Sequence, residues 1–150
     1  PERIGSYCAG YPSGLTHFFE NQDTYKVHVQ GNVLDVRLLS CSMKGDIWET
    51  VEGPADDKQY PEDLVTHLRG KLLIMHPLFG PQASSYPLTS AFRVVHALQK
   101  ANKNFDMLMT SNKGASFGHY STRRIFDYFV KHLMGATPPK AFALNASMLP

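Results

Sequence analysis

The sequence predicts an α/β fold built on a parallel sheet, and three observations carry that prediction. Residues 71–75 and 105–109 are short, mostly apolar runs, the pattern of strands buried on both faces. Each run is followed by a loop and then a longer segment with apolar residues at helical spacing. Gly, Pro and Ser cluster between these segments, where the chain must turn. The order strand, helix, strand, excursion, strand, helix, strand, helix implies about four parallel strands with flanking helices. Crossovers are expected on both faces of such a sheet.

Taken in order, residues 3–7 read as a short strand running into a turn of small residues at 8–14. Leu15, Phe18 and Phe19 then share one face of a short helix. Residues 26–31 alternate apolar and polar side chains and end at Gly31-Asn32, as a half-buried strand does. Residues 35–60 carry a weak pattern and read as an excursion from the core. Pro61-Glu62-Asp63 is a favourable helix first turn, predicting a helix through Leu68 that Gly70 terminates before the 71–75 strand. Residues 76–87 form a Gly/Pro/Ser loop. The helix over 88–102 turns Ala91, Val94, Val95, Leu98 and Ala101 inward. A polar loop at 110–118 precedes a helix over 120–134 with Ile125, Phe126, Phe129, Val130 and Leu133 toward the core. Gly135 suits its C-terminal cap, and residues 141–150 read as a tail after Pro138-Pro139.

At 150 residues, with 43% hydrophobic and 19% charged side chains, the chain can bury a globular core. A net charge of +2 does not point to nucleic acid. The sequence holds no apolar run of membrane-spanning length. Residues 64–105 contain no Asp or Glu, while Arg69, Lys71, Arg93, Lys100 and Lys103 add positive charge, the pattern of a solvated surface. Cys8 and Cys41 form no CxxC motif, so neither a metal nor a cofactor is expected, and their pairing stays open.

Several segments, in order and with similar spacing over residues 1–140, resemble the prolyl oligopeptidase family of serine peptidases, in particular its dipeptidyl peptidase IV-like branch. Pro1-Glu2-Arg3-Ile4-Gly5 resembles the strand before the family's nucleophile elbow, and Asp23-Thr24-Tyr25-Lys26-Val27 its entry to the next strand. Residues 68–76, LRGKLLIMH, are similar to the family's "LKGKLLLIHG"; residues 95–106, VHALQKANKNFD, to "VDALIKANKDFD". Residues 123–133 and Pro138-Pro139-Lys140 are similar to the last helix and its exit. The resemblance implies the C-terminal half of an α/β-hydrolase domain over residues 1–140. It also implies a missing upstream segment, a secreted or periplasmic location, and dimerisation through the last strand and helix.

The same resemblance locates the positions that carry chemistry, and none holds the residue that the chemistry needs. The nucleophile of an α/β-hydrolase sits on a strained strand-to-helix turn, G-x-S-x-G. Aligned on the strand and Tyr11, that position is Gly10, with Pro12 and Ser13 where glycines belong. The acid, which must orient the histidine and stabilise its cation, falls near Ala83 in a loop with no carboxylate. The base falls at Ala115, and the substrate-pocket positions at Leu39, Met43 and Ser85. The expectation is a serine-peptidase homologue without hydrolase activity, in a binding or structural role that leaves room for a peptide or protein partner.

Three residues are candidate stand-ins for an alternative, active hydrolase. Cys8 could serve a displaced Cys-type elbow, although a packed thiol is its simpler reading. Ser13 is a second nucleophile candidate, although it also suits a helix N-cap. His119, four residues past Ala115, is the replacement base. His76 reads as a hydrogen-bonded structural residue, and His17, His28, His67, His96 and His132 as surface or core-edge residues. A strand at residues 3–7 would be an unprotected sheet edge, so the chain is expected to belong to a larger protein or to pair with itself.

Overall fold

The computed structural model describes residues 3–10, 13–34, 60–79, 86–110 and 118–140. Within them β1 (Gly5–Ala9), β2 (Val27–Gly31), β3 (Lys71–Pro77) and β4 (Asp106–Thr110) form one sheet in the order β1-β2-β3-β4. Every pair is parallel: Ser6 faces His28, His28 faces Leu72, and Met75 faces Leu108. Helices α1 (Ser13–Glu20), α2 (Leu88–Lys100) and α3 (His119–Leu133) flank it, with two 3-10 turns at Pro61–Asp63 and Val65–His67.

The chain steps one place in the same direction at each crossover. Because parallel crossovers are right-handed, such a walk puts them all on one face of the sheet. Accordingly Leu15, Phe18 and Phe19 of α1, Val65 of the second turn, and Ala91, Val94 and Leu98 of α2 share one core with Leu72 and Ile74 of β3. The opposite face packs Val27, Val29, Leu73 and Met75 against Ile125 and Tyr128 of α3. The expected coverage of both faces by crossovers is thus corrected: among the described residues only α3, after β4, covers the second face. The alternation of Leu72 and Ile74 with Leu73 and Met75 explains why β3 reads as an unbroken apolar run.

Other boundaries differ in informative ways. β1 extends through Cys8 and Ala9, and β3 through His76 and Pro77, because β1–β2 and β3–β4 pairing continues to those residues. The helix expected over 61–68 is two 3-10 turns, ending at Leu68 with φ −57° and ψ 116°, outside the helical region. The chain must straighten there, since Gly70 passes so close to β2 that a Cβ would lie 2.6 Å from the Lys26 carbonyl oxygen. Gln22, 4% exposed, secures this junction: its Oε1 accepts the Arg69 and Gly70 amides at 2.8 and 2.9 Å. On α3 the buried stripe is Ser121, Ile125 and Tyr128, flanked by Phe129 and Leu133, whereas Phe126 is exposed. Gly135, φ +66°, follows the end of α3 as its position predicts.

This packing separates Leu98, fully buried, from Phe126, 49% exposed. Leu98→Ala should lower the unfolding free energy by about 2–5 kcal/mol. Phe126→Ala should change it by less than about 0.5 kcal/mol. Urea denaturation of the two variants checks the assignment.

Candidate functional site

In an open parallel sheet the carboxyl ends of the strands are where loops converge and ligands bind. Here β1 leads at that end into Gly10, β3 ends at His76 and Pro77, and β4 ends at Thr110. Gly10 has φ +74°, a left-handed conformation that a side chain strains, and it sits between β1 and α1. Its amide donates to the Gly31 carbonyl at 2.8 Å and prolongs the β1–β2 ladder. A strand, a left-handed residue and a helix make the sharp turn on which an exposed nucleophile can be mounted.

The space above that turn is taken. A Cβ on Gly10 would lie 2.6 Å from the Tyr86 hydroxyl oxygen and 3.2 Å from the ring carbon bearing it. Tyr86 is held from below by His76, whose Nε2 lies 3.1 Å from the Tyr86 carbonyl oxygen. A carbonyl only accepts, so Nε2 carries the proton. His76 is fully buried, and burial lowers its pKa below the usual histidine value, an effect the Tyr86 bond partly offsets. Leu78 and Phe79, just beyond β3, are exposed apolar residues at the same end.

The stand-in residues do not converge here. Cys8 lies within β1, two residues before the turn, and points under α1: a Cβ on Gly14 would meet its Sγ at 2.5 Å. Ser13 is the first residue of α1 and is exposed. His119 is exposed at the first residue of α3. Leu39, Cys41, Met43, Ala83, Ser85 and Ala115 lie outside the described residues, as does the tail at 141–150.

A second polar constellation was missed by sequence reasoning. His28, expected at the core edge, is 1% exposed and stacks on Phe18 of α1 at 4.8 Å between ring centroids. Its Nε2 lies 3.2 Å from Gln30 Oε1, while the Gln30 amide nitrogen donates to the Gly31 carbonyl. That orientation makes Nε2 the donor and leaves Nδ1 to accept the Ser6 hydroxyl at 2.8 Å. The polar half of the β2 alternation therefore faces α1, and the only signal was an apolar α1 face that needed a sheet to cover. A Ser–His–amide chain of this kind is chemically suggestive, but it lies in the core between β1, β2 and α1, away from the strand ends.

Away from the strand ends, Asp106 at the start of β4 accepts the Tyr128 hydroxyl at 2.9 Å. Burial and this carboxylate both raise the Tyr128 pKa. His132 packs on the Tyr128 ring, and Arg123 and Arg124 both pair with Asp127. These residues line a groove of about 590 Å³ beside Pro138 and Pro139. Among the described residues no group of three His, Cys, Asp or Glu could hold a metal ion, and no helix is long and apolar enough to cross a membrane.

The fold has close counterparts among solved structures. It superposes on a puromycin-hydrolyzing peptidase of Mycobacterium tuberculosis with a TM-score of 0.68 at 13% identity, over 95% of this chain. The fold is that of an α/β-hydrolase. An acylaminoacyl peptidase of Pyrococcus horikoshii matches over 94% of the chain (TM-score 0.62, 20% identity). Dipeptidyl peptidase 4 of Porphyromonas gingivalis matches over 88% (TM-score 0.59, 18% identity). The α/β-hydrolase likeness and the sequence resemblance thus point to the same group of peptidases, at the level of fold. The chain spans 23%, 25% and 19% of those three structures, respectively. No protein-family model matches the sequence, and no curated protein does.

The histidine in the core has a measurable consequence. Burial lowers the His28 pKa from 6.5 to about 4, with the Gln30 and Ser6 bonds offsetting part of the effect and His17 adding a small further lowering. The folded state then binds fewer protons than the unfolded state between those values. Stability is fully present above pH 6.5 and is lost as pH falls from there toward about 4. The loss should approach about 3 kcal/mol, read by chemical denaturation across that range. His28→Gln should flatten the profile in this window.

Proposed function

We propose that the chain is the C-terminal part, residues 1–140, of a peptidase-like α/β-hydrolase domain in which the hydrolytic site has lapsed and a binding or structural role remains. The observation that carries this reading is Gly10: the turn keeps its left-handed conformation, but it bears no nucleophile, and the Tyr86 phenol lies where a side chain would project. The sequence adds support, with alanine at the aligned base position, Ala115, and no carboxylate anywhere from residue 64 to 105. Loss of a single triad member costs a serine hydrolase up to ~10⁶-fold in turnover.

Cys8 and Ser13 do not favour a relocated nucleophile. The first lies inside a strand, and the second is accompanied by no oriented base among the described residues. The rest of the domain is assigned to the outer edge of β1. Gly5–Ala9 has no charge or proline to blunt that edge, and Tyr7 on it is 44% exposed. The natural partner is an upstream strand of the same protein, with a second copy as the alternative. Homodimerisation through β4 and α3 is a further expectation, and a peptide or protein would be the ligand.

Four outcomes test the reading. A fluorophosphonate probe should label no serine, and labelling at one serine would sink the lapsed-site proposal. Gly10→Ser should not confer labelling, and Gly10→Ala should lower stability by roughly 1–3 kcal/mol, read by urea denaturation. Tyr7→Lys should raise the concentration at which the chain self-associates in analytical ultracentrifugation, because a charge there blunts the open edge.

A further inference from the structure

The contact between Tyr86 and Gly10 joins two parts of the chain that the sheet does not join. Gly10 closes β1, whereas Tyr86 precedes α2, which β3 feeds. The phenol lies close enough to Gly10 that any side chain there would displace it. The tyrosine's carbonyl is bonded to His76, the penultimate residue of β3, at 3.1 Å. His76 is fully buried, and among the described residues its other ring nitrogen, Nδ1, has no hydrogen-bond partner. Among the described residues the Tyr86 carbonyl is thus the one hydrogen-bond partner of the imidazole, which ties the backbone of Tyr86 to the end of β3.

We propose that Tyr86 is an internal plug over the Gly10 turn, clasped by His76, so that a ligand reaching Gly10 must first displace the phenol. The class of that ligand, a peptide segment presenting a carbonyl to the turn, rests on the reading of Gly10 as a former nucleophile position. The plug itself rests on geometry alone. A plug of this kind lowers apparent affinity by the fraction of time that it stays closed. Its removal therefore strengthens binding without adding a contact.

Hydrogen exchange of the Gly10 amide, which donates to Gly31 beneath the phenol, reads the plug directly. Tyr86→Ala should speed exchange at Gly10 by about tenfold or more, while the Leu73 and Ile74 amides at the centre of β3 keep their rates. Tyr86→Phe, which keeps the ring, should stay within about twofold of the parent. His76→Ala should speed Gly10 alone, and His76→Gln, which retains an N–H donor, should restore most of the protection. Unchanged Gly10 exchange in Tyr86→Ala would overturn the plug. Equal acceleration at Gly10, Leu73 and Ile74 in His76→Ala would reduce the histidine to a core residue and overturn the clasp. Should His76→Ala not fold, His76→Asn, whose shorter amide falls short of the imidazole Nε2 position, takes its place: acceleration confined to Gly10 supports the clasp, and uniform acceleration refutes it. Fluorophosphonate labelling would defeat the lapsed-site reading and leave these exchange results standing.

Discussion

Parallel strands cannot be joined by tight hairpins, and the crossovers that join them have one hand. In this chain that constraint governs nearly everything else, because the walk from β1 to β4 never reverses. One face receives α1, both 3-10 turns and α2, and so holds the larger core, from Leu15 to Leu98. Among the described elements the other face receives only α3, whose Phe129 and Leu133 reach as far as Gly5 of β1 and pack so closely that a Cβ there would clash. Phe126 and Tyr7 stay exposed because no further described element covers them.

The same walk lines up the carboxyl ends of all four strands, which is what makes a site there feasible. The turn at Gly10 retains a conformation that costs a residue with a side chain of order 1–3 kcal/mol. A glycine relieves that strain, and the space a side chain would take is occupied by the phenol of Tyr86, whose carbonyl bonds His76 of β3. A side chain at this turn and the Tyr86 phenol in its present position therefore exclude one another.

The strands and helices were legible where periodicity and burial agree. β3 and α2 are long enough for their patterns to be unambiguous, and Leu72–Met75 and Ala91, Val94 and Leu98 lie where the sequence puts them. Phe126 was misassigned because an aromatic residue beside Ile125 satisfies the same helical stripe; only the angle at which α3 crosses the sheet chooses Tyr128 instead. The turns at Pro61–His67 were hidden because propensity favours a helix that the approach of Gly70 to β2 forbids. At the strand ends, the small-residue turn that follows the first strand, in which Gly10 has a positive φ, was readable. Tyr86 was not, since its contact spans 76 positions of sequence (86 − 10) and leaves no local pattern. The alternation of polar and apolar residues made β2 legible as a strand, whereas the burial of both its faces depends on tertiary packing that alternation does not encode.

The pairing of Ser6 with His28 bears on how the sheet finds its alignment. In the native register Ser6 and His28 are opposite one another on the face beneath α1. Sliding β1 by one residue would set Tyr7 or Gly5 against the imidazole and turn the hydroxyl to the other face. His28 would then be buried with an acceptor nitrogen lacking its donor, at a cost of about 1–3 kcal/mol. An apolar pair at these positions would pack in several alignments with similar energy. The buried hydroxyl and imidazole thus act as a key, penalising every misaligned assembly of the first two strands while adding little to the stability of the correct one.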